Sequence, residues 1–367
     1  MTTTRIDHTT TAGWPSSTVR RQPSTTTGDQ NQQQNPSTDA VIFNPRTPTY
    51  PRYTGWGRSK LQTLDWAAIA RRAEQNCADA LARIEGLSPD VSLEAFIRAA
   101  TAVEPYDHYK YFSDTAKGMV AHIKGTCGAP VARVFLRAAL ERTIGAWAND
   151  GRYQQLPPMC AHFHCKQLQR IANDSDVAAE WLDLDNDLFQ KEFGIASMRL
   201  YVAGSNVVDY RCGISRSILF QSGPRKVLTN LRVLMGLGGF KPYFQGHLHA
   251  FLLDALNEEG RNDFYRCCAE LYVLHPECLG MFCSSWFYDP ALDLISPWLS
   301  YLRTIPLAGG AHLFHVQDGG EAIGNAIAKS RTRRKLYEER KYLPKTYMIV
   351  WGKRQQIDWA RAHQRTE

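Results

Sequence analysis

Apolar positions recur every three or four residues through most of the stretch from about 60 to 190, a helical period. In LDWAAIARRAEQNCADALARIEGL, Leu64, Ile69, Ala73, Cys77, Ala80, Leu81 and Ile84 follow it, with Asp65 placed to cap and Gly86 to stop the helix. SLEAFIRAATAV starts from Ser92 as a cap, and APVARVFLRAALERTIGAWAND carries Pro130 in its first turn. CKQLQRIANDSDVAAEWLDLD predicts two short helices. CAHFHC, at 160–165, is read as a strand.

Near 191 the pattern changes. IASMRLYVA and YRCGISRSILFQ have the β-branched and aromatic bias of strands. SGPRKVLTNLRVLMGLGG predicts a helix, KPYFQGHLHAF a strand, EEGRNDFYRCCAELYVLH a helix ended by Pro276, and LGMFCSSWFY a strand. Two helix starts follow, Asp289-Pro290 and Ser296-Pro297. GGAHLFHV reads as a strand, NAIAKSRTRRKLYEERKY as one helix and KTYMIVW as the last strand. Strands alternating with helices predict an α+β or mixed α/β fold: a helical N-terminal region, 58–190, then a mixed-sheet C-terminal domain, 191–367.

Residues 1–57 show neither period. They are rich in Ser, Thr, Gln, Asn and Pro, a composition that buries too little apolar area to offset the entropy of ordering. A disordered leader is expected there, similar in composition to the N-termini of bacterial type III secreted effectors. That similarity implies export through the leader; the start has no apolar core of a Sec signal peptide. Over the whole chain 44% hydrophobic and 11% aromatic residues suffice for a sizeable core, and no apolar run reaches membrane-spanning length. The nine cysteines are irregularly spaced, which fits reduced thiols in a cytoplasmic, soluble protein. The net charge of +7 comes from the first 60 residues and from 329 onward, leaving the middle net acidic. That distribution argues for a local anion site and against a nucleic-acid-binding face.

The richest basic stretch is RRKLYEERKYLPKTYMIVW, 333–351. Its Leu336-Tyr337-Glu338 resembles the last helix of the GNAT acyltransferase superfamily, and ELYVLHPECLGMF resembles that family's acidic strand, turn and pyrophosphate loop. Aligned on Gly280, Glu277 stands where the family has Gln or Arg, and Phe282 where it has a second small residue. The resemblance, over about 270–351, implies a GNAT-like C-terminal fold. It also implies transfer of an acyl group from acyl-CoA, the donor substrate, to a small amine. Tyr337 would then protonate the departing thiolate, Glu270 or His275 would serve as base, and Arg333, Arg334 and Gly280 would lie at the donor's phosphates. Trp286 and Tyr288, on one face of the predicted strand, would line the acyl pocket.

Two histidine pairs offer a different chemistry. His162 and His164, and His247 and His249, are spaced i,i+2, which puts both rings on one face of a strand. The second pair, alone or with Asp254, is a candidate transition-metal site. No phosphate-binding glycine loop, zincin motif or nucleophile elbow occurs. The leading expectation is an N-acyltransferase; the alternatives are a metal-dependent enzyme using paired histidines and a non-catalytic secreted effector.

Overall fold

The computed structural model describes residues 64–87, 90–102 and 108–364. The leader expected at 1–57 lies outside them. Six helices come first. Helix α1 (Trp66–Arg83) is capped by Asp65, which accepts from the Ala68 amide, and α2 (Leu93–Thr101) by Ser92. Helix α3 (Asp114–Cys127) and the long α4 (Ala129–Asn149) meet at Gly128, with Pro130 in the first turn of α4. Helix α4 is buried nearly all round, because α1, α2, α3 and α6 (Asp187–Ala196) pack about it.

Helix α5 (Pro158–Asn173) overturns the strand expected at 160–165. Its buried positions Cys160, Ala161, His164, Cys165, Leu168 and Ile171 keep a helical period, and Pro158 suits the first turn. His162 and His164 are therefore not ring neighbours on a strand face. His164 is a core residue: Nε2 meets the Ile195 carbonyl at 3.1 Å and Nδ1 accepts the Val202 amide at 3.4 Å.

The sheet follows: β1 (Leu200–Ala203), β2 (Asn206–Cys212), then the short α7 (Ile218–Gln221) and α8 (Val227–Gly236), then β3 (Tyr243–His247). The strand expected through Gln221 stops at Cys212, and the first strand starts only at Leu200 because Ile195 and Ala196 still belong to α6. Helix α9 (Glu258–Leu271) crosses to β4 (Gly280–Ser285). Helices α10 (Leu292–Ile295) and α11 (Tyr301–Ala308) lead to β5 (His312–Asp318). The single helix expected next is two, α12 (Glu321–Ile327) and α13 (Arg331–Glu338), since the Ser330 hydroxyl accepts the Arg333 amide and starts a new one. Strand β6 (Lys345–Gly352) and a further helix, α14 (Lys353–Ala362), complete the fold.

The strand order is β1-β2-β3-β4-β6-β5. Neighbours are antiparallel except β3 and β4, which the crossover through α9 makes parallel. The protein is thus mixed α+β, with a six-stranded mixed sheet in its C-terminal half. On β4 and β6, alternate residues divide between two cores. Met281, Cys283, Ile349 and Trp351 join the main core with α9 and α14, while Phe282 and Val350 join a smaller one with Leu234 of α8. The main core also takes in the buried faces of α1–α6, and all described residues belong to one compact unit. No helix among the described residues is long and apolar enough to cross a membrane.

Candidate functional site

Helix α9 supplies the most unusual side chain. Asn257 caps it, accepting the Gly260 amide at 3.0 Å, so Arg261 falls in the second turn. Tyr265, four residues on, shares its face. Arg261 is 2% exposed. Its guanidinium donates to Asn206 Oδ1 at 2.7 Å and to the Tyr265 and Tyr288 hydroxyls at 3.0 Å each. These partners are all neutral, and Nε has none among the described residues. Arginine stays charged at any ordinary pH, so this is a desolvated cation with no carboxylate partner among the described residues.

Its position follows from the parallel pair. The β3–β4 ladder consists of Phe244↔Met281 and Gln245↔Phe282, although β3 runs on to His247 and β4 to Ser285. Beyond it, Phe264 and Cys283 occupy the space over Gly246: a Cβ there would stand 2.6 Å from each. Arg261 is tied to both strands past that point. Asn206 donates to the His247 carbonyl at 3.0 Å, and Tyr288 lies in the turn after β4. That turn exists because the Ser285 hydroxyl accepts the Phe287 amide at 3.2 Å, ending the strand expected to continue to Tyr288. Trp286 and Tyr288 therefore do not share a strand face. Trp286 packs with Leu292, Ala322, Ala326 and Tyr342, and Tyr288 in the main core.

The other expected site residues fall in separate places. Glu270 caps α5 from α9, accepting the Met159 amide at 3.1 Å, and burial pushes its carboxyl up to about 7. His275 shares a 2.8 Å hydrogen bond with the Tyr201 hydroxyl and stacks on Tyr210 at 4.0 Å. Both precede β4, whereas Tyr337 precedes β6, which runs antiparallel to β4. The six-residue β4, about 20 Å long at ~3.3 Å per residue, separates them. Gly280 begins a strand, not a helix; a Cβ there would meet the Trp351 carbonyl oxygen at 2.2 Å, so its role is close approach to β6.

Arg333 is a structural clasp. Its Nε donates to the Ala326 carbonyl at 2.6 Å, one terminal nitrogen to the Ser296 hydroxyl at 2.9 Å, and the guanidinium lies 4.7 Å over the Trp286 ring. Arg334 is exposed and donates to the Ala328 carbonyl.

His247 and His249 also part. His249 lies beyond β3, where Nδ1 accepts the Phe251 amide at 3.3 Å and Nε2 stands 3.5 Å from Glu192 Oε1. Burial holds its pKa down at about 3 and lifts the Glu192 carboxyl to about 7, so the contact is not an ion pair of His249 at neutral pH. Arg170 and Gln167 donate to Glu192 instead. His247 stands with His108 and Asp209. Arg261, Asn206, Tyr265, His108 and Asp209 belong to no motif, because their partners lie 27 or more residues away or, like Arg261 and Tyr265, carry no spacing signature.

Fold and site together define an α+β protein with a buried cation at the end of the parallel pair β3–β4. No family model, curated protein or solved structure matches the chain.

Proposed function

We propose that the chain transfers an acyl group from a coenzyme A-type thioester to a small amine, at the end of the β3–β4 pair. The observation that carries the proposal is Arg261, a buried guanidinium with no carboxylate partner among the described residues, bridging the two strands where their ladder stops. Burying such a charge costs several kcal/mol unless a counter-charge arrives. Transfer supplies one: the amine nitrogen attacks the thioester carbon, oxygen gathers charge, and the C–S bond then breaks to a thiolate. The hydroxyl of Tyr288 accepts from Arg261 and so presents its own proton for donation. The thiolate takes that proton, the ammonium formed by attack loses one to solvent, and the Tyr288 phenolate regains one from solvent. The acid role thus moves from Tyr337 to Tyr288.

Calorimetry with acetyl-CoA and longer acyl-CoAs, with thiol release in the presence of amines, tests the reading. The expected result is saturable binding, with Tyr288→Phe slowing release at least tenfold and Tyr337→Phe leaving it unchanged. The reverse ranking would return the acid to Tyr337. No heat and no thermal shift with any acyl-CoA would sink the proposal.

A further inference from the structure

Three ligand-type side chains meet on the sheet apart from Arg261. Val207 pairs with His247 across β2 and β3, and Asp209 lies two residues beyond Val207, so Asp209 and His247 leave the same sheet face. His108 comes over them from the segment before α3; its ring meets that of His247 edge-on at 5.7 Å. Tyr109 packs on the same ring at 5.0 Å, and its amide donates to Asp209 Oδ2 at 3.4 Å. One ligand atom from each of His108, Asp209 and His247 lies within 4.8 Å of the other two. His247 keeps some exposed surface, but its Nε2 is enclosed and has no hydrogen-bond partner among the described residues. A buried nitrogen left without a partner is unfavourable, and a ligand there would offset that cost.

We propose that His108, Asp209 and His247 bind one late first-row divalent ion, of the Zn²⁺ or Fe²⁺ kind, through two imidazoles and a carboxylate. The donor set suits these ions and not Ca²⁺ or Mg²⁺, which take oxygen ligands. The Nδ1 of His108 accepts the Lys110 amide at 3.3 Å, which leaves Nε2 for the ion. Tetrahedral ligands about 2.1 Å from one ion stand ~3.4 Å apart, and the three ligand atoms lie within 4.8 Å of one another, so the side chains would draw in around the ion on binding. His108 is exposed, so its ring can turn toward the ion. Lys110 and Lys191 stand near, but both pair with Asp187, at 2.7 and 2.5 Å, which offsets their charge; Arg199 is bonded to the His108 carbonyl. Three protein ligands leave a coordination position for water or a small molecule.

The test uses the full chain, stripped with a chelator and titrated with Co²⁺, whose visible absorption reports nitrogen and oxygen ligation, and with Zn²⁺ by calorimetry. One ion per chain is expected. His108→Ala, Asp209→Asn and His247→Ala should each weaken binding at least tenfold, while His249→Ala binds as the native chain does. His108→Ala removes an exposed ring and keeps the test open should His247→Ala fail to fold. Absence of stoichiometric Co²⁺ and Zn²⁺ binding, or binding that survives His108→Ala, overturns the proposal.

Discussion

Glu270 illustrates how burial can decide a carboxyl's role. It accepts the Met159 amide at the start of α5, where the helix dipole favours a negative charge, yet desolvation outweighs this and lifts its pKa from 4.5 to about 7. A raised pKa means that the folded state holds a proton which the unfolded chain releases. Stability from Glu270 is therefore full below about pH 4.5 and is lost as pH rises through about 7, by ~2–3 kcal/mol. Glu270→Gln keeps an acceptor for the amide and cannot ionise. Urea titrations at pH 5 and pH 8 should show the variant losing less stability than the native chain over that interval; equal losses would refute the assignment. Arg333 gives a second case. Arg333→Met loses two hydrogen bonds and the contact over Trp286, and should cost about 2–3 kcal/mol. Arg334→Met, at an exposed neighbour, should cost under ~0.5 kcal/mol. Similar losses in the two variants would mean that the clasp contributes little.

At the scale of elements, the parallel pair depends on Gly246. A methyl group there would stand 2.6 Å from Cys283 Sγ and from the Phe264 ring, both held in the core. Gly246→Ala should destabilise by about 2–4 kcal/mol, and Gly246→Ala with Cys283→Ala should recover part of that loss. Denaturation curves without such recovery would place the strain elsewhere. The elements themselves were largely legible, because caps and periods are local: Asp65 and Ser92 start the helices that they were expected to start. The misreadings have local causes as well. CAHFHC supports either period over six residues, and only the continuation through Leu168 and Ile171 decides for a helix. Ser285 stops β4 with one hydroxyl, which aromatic composition does not reveal. Of the candidate site, Tyr288 and His247 were legible as residues. Their partners were not, since Asn206 reaches Arg261 across 55 positions and His108 meets His247 across 139.

The change in pattern near 191 separates helical from sheet-bearing sequence, but the packing does not follow it. Phe96, Phe135 and Leu140 from the helices share one core with Val207, Phe264 and Trp351 from the sheet-bearing half. Helix α5 lies against β1 and α9, and the carboxyl that caps α5 comes from α9. Two segments that bury their apolar faces against each other lose those faces to water if either opens alone. At ~25 cal/mol per Å², several hundred Å² of newly exposed surface adds about 10 kcal/mol to the free energy of opening either half alone, as much as the whole net stability of a typical domain. The described part of the chain should therefore unfold as one unit. Hydrogen exchange followed by mass spectrometry offers a direct check: slow amides in α4 and in β4 and β6 should exchange with the same free energy, within about 1 kcal/mol, and show the same denaturant dependence. If α1–α6 opened first by several kcal/mol, the shared core would be a contact between two independent domains, and the boundary near 191 would be a thermodynamic one.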